Sequence, residues 1–161
     1  MMRTLICCVL MLATSVVWAW PKADFVLVNK SERKLYLLNK GMPFKEYRVS
    51  LGPKPKGHKL QEGDERTPEG RYLLDFKNEN SDFYKSIHIS YPNQFDIEQA
   101  RGAGVSPGGA IMIHGLPEEP RFPASVIQNF NWTDGCIAVT NEEMDEIWNA
   151  VEIGTPIEIL P

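Results

Sequence analysis

The sequence predicts a mostly β domain with one or two packed helices, arranged as a sandwich or a partly closed barrel. Short runs rich in Val, Leu, Ile, Tyr and Phe recur along residues 24–160, separated by turn residues. Only two segments have clear helical character, and strands and helices do not alternate as in βαβ units. The chain has 161 residues, which is enough for one domain with its own core.

Strands dominate the first half of the predicted domain. Five segments have the composition of short strands: residues 24–30, 33–39, 43–50, 71–76 and 85–91. The second and third are joined by Asn39-Lys40-Gly41, which is a hairpin signal. Residues 51–70 are dense in Gly, Pro and charge, which indicates a long surface loop. Such a loop inside a compact domain is more often functional than idle.

The second half contains the predicted helices. Residues 94–109 hold a short helix ended by Gly102 or Gly104, and residues 110–115 form an apolar strand. A Pro-rich crossing with one helical turn follows over residues 116–130. The clearest helix covers 140–151, because Thr140 or Asn141 can cap it and its apolar residues recur on one face. A last strand is predicted over 155–160.

The N-terminus predicts export. Arg3 precedes an uncharged apolar run from Leu5 to Trp18, and Val17-Trp18-Ala19 offers small residues at a cleavage site. The alternative is a membrane anchor, but the run is shorter than the ~20 residues that span a bilayer. We therefore expect a signal peptide over residues 1–19 and a domain over 20–161 with no stable membrane anchor after cleavage. Cys7 and Cys8 leave with the peptide.

The charge balance excludes one class of partner. The chain has 17 basic and 21 acidic residues, and Arg3 is the one basic residue of the predicted signal peptide. The predicted domain therefore carries 16 basic and 21 acidic residues, a net charge of −5. Because it contains no polybasic run, we expect no nucleic-acid partner.

Cys136 is the one cysteine of the predicted domain. A lone cysteine in an exported protein suggests a free, reactive thiol, and the alternative is an inert buried side chain. A nucleophilic thiol requires a histidine or another source of positive potential beside it. His114 ends an apolar strand just before Gly115 and is the candidate partner, whereas His58 lies in the charged loop and is expected to be solvated.

Several sequence blocks resemble one family. "IMIHGLP" (111–117) followed by "NWTDGCIAVTNEEMDEIW" (131–148) resembles the signature of the L,D-transpeptidase (YkuD-like) catalytic domain, in which His-Gly or His-Ser precedes [Ser/Thr]-x-Gly-Cys. "DERTPEGRYLL" (64–74) resembles its Thr-Pro-x-Gly loop, and "ISYPNQFD" (89–96) with "SPGGAIMIHG" (106–115) resembles exported proteobacterial members. The likeness covers almost the whole predicted domain.

The resemblance implies roles for residues around Cys136. Cys136 is the nucleophile, and His114 takes its proton and later protonates the departing amine. Gly115 stands where some members have serine, so a backbone carbonyl is expected to orient the imidazole. The backbone N–H groups around Gly135 and Cys136 are expected to bind the oxyanion. Thr133 either belongs to that catalytic loop or holds its turn.

Three residues leave alternatives open. Asp134 should raise the pKa of the thiol unless it points away, in which case it can recognise a cationic substrate group. His88 faces away from its neighbours Ile87 and Ile89, so it can bind substrate, tune His114, or join His114 and Cys136 in a zinc site. The resemblance implies no metal and no cofactor. Ala138 replaces the arginine or asparagine of many transpeptidases, which leaves the acceptor of the reaction open.

The implied activity is acyl transfer on peptidoglycan stem peptides in the periplasm, through a Cys136 thioester. An amine acceptor gives a cross-link, an exchanged D-amino acid or an attached lipoprotein. The first alternative is a cysteine amidase or endopeptidase that hydrolyses wall-peptide or lipoprotein linkages. The others are a wall-binding module without catalysis and a metal-binding exported protein.

Overall fold

The computed structural model describes residues 21–161, so the predicted signal peptide over 1–19 lies outside the described residues. Its strands form one sheet. The eight strands are β1 (Phe25–Asn29), β2 (Lys34–Asn39), β3 (Met42–Arg48), β4 (Gly70–Ser81), β5 (Tyr84–Ile89), β6 (Met112–His114), β7 (Ile137–Ala138) and β8 (Thr155–Leu160). Among residues 21–161, no helix has the length and apolar character to cross a bilayer.

The sheet has the order β3-β2-β1-β8-β4-β5-β6-β7. The pairs β1–β8 and β6–β7 are parallel, and the other neighbours are antiparallel. The two edges meet where Ser50, after β3, exchanges two backbone hydrogen bonds of 2.9 Å with Ala138 in β7. This contact curls the sheet into a partly closed barrel and confirms the predicted mostly β fold.

Three helices accompany the sheet: α1 (Gln94–Ala103), α2 (Ala124–Ile127) and α3 (Asn141–Ala150). Asn93 caps α1, which ends at Gly104 in the left-handed conformation (φ +70°). Thr140 caps α3 in a reciprocal arrangement with Glu143, and Met144 and Ile147 of α3 are fully buried in the core. The helix over 140–151 is thus confirmed with one residue fewer at each end.

Two sequence expectations differ from the structure. The strand expected over 71–76 continues to Ser81, because the polar residues 77–81 pair with β5 as one arm of a hairpin. His58 is not solvated: its Nδ1 accepts a hydrogen bond from the Glu69 N–H (2.9 Å), and its Nε2 lies 3.0 Å from Oδ1 of the buried Asp96. The ring therefore ties the loop over 51–69 to α1.

Candidate active site

The short parallel pair β6–β7 brings the two candidate catalytic residues together. His114 pairs with Ala138, and the side chain of Cys136, two residues before Ala138, therefore lies on the same face of the sheet. Cys136 and His114 line one cavity of about 270 Å³, together with the hairpin between β4 and β5. The described residues contain no other cysteine, and this one is free.

The turn before Cys136 requires glycine. Gly135 has φ +123°, and a Cβ there would lie 2.5 Å from the Arg66 carbonyl oxygen. Thr133 is buried, and its hydroxyl donates to the Cys136 carbonyl at 2.7 Å while lying 3.4 Å from the Gly135 N–H. These contacts favour the alternative in which Thr133 holds the turn that presents the thiol.

His114 is held on several sides. Its Nδ1 lies 2.7 Å from the Gly115 carbonyl, which can only accept, so Nδ1 carries a proton and Nε2 is the basic nitrogen of the neutral ring. The ring also contacts Phe83 (centroids 4.7 Å apart) and Trp132 (5.7 Å, edge to face). Burial lowers the pKa of His114, and the hydrogen bond to Gly115 opposes this only in part. His114 is therefore neutral in the resting site, where its Nε2 can act as a base.

Gly115 has no room for a side chain. A Cβ there would lie 2.6 Å from Asn141 Oδ1 and 3.0 Å from Tyr84 Cβ. Asn141 Oδ1 is itself held by the Leu116 N–H at 2.8 Å. A serine at 115 would therefore have to displace the Asn141 side chain from its bond with the Leu116 N–H and would crowd Tyr84. The carbonyl remains the group through which Gly115 orients the imidazole.

Opposing effects act on the thiol. Burial raises the pKa of Cys136, and the nearby Asp134 raises it further, whereas the Met112 N–H and Lys59 lower it. The pKa stays above its ordinary value, so the resting cysteine is a thiol that needs a base to become a nucleophile. This direction matches the first of the two roles considered for Asp134, and its role in recognising a cationic substrate group stays a prediction.

A second cavity, of about 550 Å³, also borders Cys136. Cys136 and Asp134 line it together with Lys59, Glu62 and Glu65 from the predicted loop. Lys59 is 3% exposed, and its Nζ binds Asp64 (2.9 Å) and the Gln61 carbonyl (3.1 Å). Sequence reasoning missed Lys59, because a lysine in a charged loop gives no sign that the loop folds over the thiol.

His88 is separated from the two candidate catalytic residues. It pairs with Met112 and so shares the sheet face of His114, but its Nδ1 lies 2.7 Å from Asp75 Oδ1. It does not line either cavity beside Cys136. Within residues 21–161 no three His, Cys, Asp or Glu side chains are placed to hold a metal ion, so the geometry gives the zinc alternative no ligand set.

Comparison with known proteins identifies the family. The model of the YkuD family, the L,D-transpeptidase catalytic domain, matches residues 23–159. The chain belongs to this family. No match was found among curated proteins.

Solved structures agree with this L,D-transpeptidase fold. The helical cell shape determining protein Pgp2 of Campylobacter jejuni is 27% identical with a TM-score of 0.64, covering 84% of this chain and 46% of Pgp2. Bd1075 of Bdellovibrio bacteriovorus is 25% identical with a TM-score of 0.59, covering 91% of this chain and 50% of Bd1075. The L,D-transpeptidase of Xylanimonas cellulosilytica, 17% identical with a TM-score of 0.53, supports the fold alone, with 86% and 61% covered. This chain thus spans about half the length of Pgp2 and Bd1075.

Ala138 is the one clear departure from the family pattern noted in the sequence. In this L,D-transpeptidase domain it is fully buried between His114 on β6 and Ser50 after β3. Because the side chain of Ala138 is fully buried, a long polar side chain at this position would require its surroundings to rearrange.

Proposed function

We propose that the protein is a cysteine acyltransferase acting on peptidoglycan stem peptides. The observation that carries this proposal is the shared cavity of Cys136 and His114, in which Nδ1 of the imidazole is fixed and Nε2 is its basic atom. A thiol with a raised pKa beside a neutral imidazole is suited to general-base activation at the moment of attack.

In the proposed first step, His114 Nε2 takes the Cys136 proton and Sγ attacks the carbonyl carbon of the third, diamino-acid residue. The Cys136 N–H, with the Gly135 N–H beside it, stabilises the oxyanion. The C–N bond to D-Ala then breaks, the imidazolium protonates the departing amine, and a thioester remains on Cys136.

In the second step an acceptor amine gives a proton to His114 and attacks the thioester, which restores the thiol. Two cavities with different linings border Cys136, and we propose that they give the donor and the acceptor separate approaches. The larger cavity is lined by Glu62, Glu65 and Asp134, and negative charge there attracts a cationic amine. We propose that the acceptor enters from this side.

Hydrolysis is the second candidate. Ala138 favours it, because the cation that many transpeptidases place there is absent, and water needs no binding group. Pgp2 determines helical cell shape, and we propose that this chain likewise modifies the wall. A wall-linked lipoprotein remains a candidate substrate of the hydrolytic reaction.

The apolar run from Leu5 to Trp18 supports export, and the proposed substrate lies in the periplasm.

The test is mass spectrometry of the purified protein incubated with a disaccharide-tetrapeptide, with and without an added D-amino acid. Loss of D-Ala with gain of the added amino acid, or a dimer, supports transpeptidation. Loss of D-Ala alone supports hydrolysis. Cys136→Ala should abolish either product. Cys136→Ser, which keeps the size of the side chain, is the control for a disturbed fold. No product with this substrate or with lipoprotein-linked muropeptides would contradict the proposal.

A carbapenem gives a second readout, since the family resemblance implies that it acylates Cys136. The intact mass should increase by one ligand, and digestion should place the adduct on the tryptic fragment 122–161, which contains no other cysteine. An unchanged mass would count against an activated thiol.

A further inference from the structure

Ser86 on β5 has a buried hydroxyl that lacks a partner. The residue is 1% exposed, and its Oγ forms no hydrogen bond within residues 21–161. A buried hydroxyl without a partner is unfavourable, so natural proteins rarely keep one without a reason. Ser86 also lines the cavity that holds His114 and Cys136.

The register of the sheet places Ser86 directly beside His114. Ser86 pairs with His114 across β5 and β6. The neighbouring pair Lys85–Gly115 is bonded through the Gly115 N–H, so Ser86–His114 is a pair without backbone hydrogen bonds between its members. The side chains of such pairs approach most closely, with Cβ atoms about 4.5–5.5 Å apart.

The other contacts of the imidazole leave Nε2 as the nitrogen that this hydroxyl can meet. Nδ1 is occupied by the Gly115 carbonyl, and the rings of Phe83 and Trp132 pack against the imidazole. Phe83 offers no hydrogen-bonding group, and the Trp132 Nε1–H is a donor only. Once the sulfur has attacked and no longer carries charge, an imidazolium at His114 therefore finds no acceptor for its Nε2–H among these rings until the departing amine takes the proton.

We propose that Ser86 is a positioning residue whose hydroxyl turns to accept a hydrogen bond from His114 Nε2–H once the imidazole has taken the Cys136 proton. A hydroxyl suits this role because it can accept from the protonated ring, while its lack of a bond in the resting protein leaves the Nε2 lone pair free for the Cys136 proton. It thereby stabilises the buried imidazolium until the proton passes to the departing amine. The catalytic part of this inference rests on the proposed acyl transfer.

The charged groups around His114 do not supply this stabilisation. Cys136, just before β7, and Asp82 from the hairpin line the same cavity. Asp134 and Lys59 act on the thiol and line the other cavity beside it. Within residues 21–161 no ion pair joins His114 to a carboxylate. Hydrogen bonds alone therefore offset the cost of burying the protonated ring.

The first test is an NMR titration of the histidine rings in the full-length protein, with His114 assigned by its absence in His114→Gln. In Ser86→Ala we expect the His114 midpoint to move to lower pH by about 0.5–1 pH unit, because the imidazolium loses its acceptor. The matched control is Ser90→Ala, at the end of the same strand, whose hydroxyl is bound by the Leu73 N–H at 2.8 Å. It should leave the His114 midpoint unchanged.

The second test compares stability with turnover. Ser86→Ala should unfold at the same temperature or higher, because it removes an unpartnered buried hydroxyl. Its kcat on the disaccharide-tetrapeptide should fall about fivefold to tenfold while KM stays within about twofold. Ser86→Thr, which keeps the hydroxyl, should retain the wild-type midpoint.

An unchanged His114 midpoint and unchanged kcat in Ser86→Ala would overturn the inference. So would a loss of activity that only follows a loss of stability. The titration does not depend on the substrate. A shifted midpoint in a protein that never turns over wall peptides would therefore support the role of Ser86 while contradicting the proposed function.

Discussion

The hydroxyl of Thr133 donates to the carbonyl of Cys136 at 2.7 Å and so closes the turn that presents the thiol. The Thr133 N–H also donates to the Leu51 carbonyl at 3.1 Å, which ties the start of the turn to the chain just after β3. Thr133 therefore sets the position of the sulfur through two contacts, one from its hydroxyl and one from its backbone N–H.

Thr133→Val tests this contact while keeping the shape of the side chain. It should lower the free energy of unfolding by about 1–2 kcal/mol, because the buried Cys136 carbonyl loses its donor. Chemical denaturation measures this loss, and iodoacetamide alkylation of Cys136 reports the disturbed turn. Thr133→Ser is the control that keeps the hydroxyl. If the valine and serine variants unfold alike, the hydrogen bond does not hold the turn.

Gly135→Ala should be strongly destabilising. Its Cβ would lie 2.5 Å from the Arg66 carbonyl oxygen, in a backbone conformation with φ +123° that other residues rarely adopt. We expect a loss of about 2–4 kcal/mol in the free energy of unfolding. Gly41→Ala is the matched control, since φ is +76° there but nothing lies within 4 Å of a Cβ. It should cost about 1 kcal/mol, and equal losses in the two variants would exclude the steric explanation.

Asp134→Asn should make the thiol more acidic. Negative charge beside the sulfur favours the protonated thiol, so its removal favours the thiolate and lowers the pKa of Cys136. The pH midpoint of Cys136 alkylation should move down by a few tenths of a unit, on the order expected for a partly solvated charge. The difference should shrink in about 1 M salt. Asp82→Asn, on the other cavity, is the control, and a shift there of the same size would contradict a specific effect of Asp134.

His114 and His88 should differ sharply in their effect on activity. His114→Gln removes the proposed base and should lower kcat/KM at least about a hundredfold. His88→Gln removes a partly exposed contact with Asp75 outside the cavity and should change it by no more than about threefold. Steady-state kinetics on the same substrate measures both. A large loss in His88→Gln would show that the ring acts on the substrate or on His114.

Local chemistry made much of this fold predictable. The caps of α1 and α3, the Asn39-Lys40-Gly41 hairpin and the apolar alternation around Ile87 depend on neighbouring residues, and the structure places these elements within a few residues of expectation. The extension of β4 to Ser81 was missed because its polar residues have a loop composition. Their strand conformation comes from pairing with β5, which only the folded chain provides.

The surroundings of the candidate site were harder to predict. A motif in the sequence names Cys136 and His114, but it does not name Lys59 or Ser86, which reach the site from distant segments. His58 was expected to be solvated, since nothing near it in sequence shows that Asp96 lies 3.0 Å from its ring. Such contacts depend on strand order, and the sequence alone does not determine that β6 and β7 are parallel neighbours.

The position of β8 has a consequence for how this site comes into being. β8 follows every other strand along the chain, yet it lies in the middle of the sheet between β1 and β4. Before residues 155–160 are in place, the strands β1–β3 and the group β4–β7 have no pairing in common beyond the bridge between Ser50 and Ala138. During synthesis β1 and β4 can therefore be joined through β8 only after residues 155–160 have been made. The half of the sheet that carries the thiol and its base becomes continuous with the N-terminal strands at that late step.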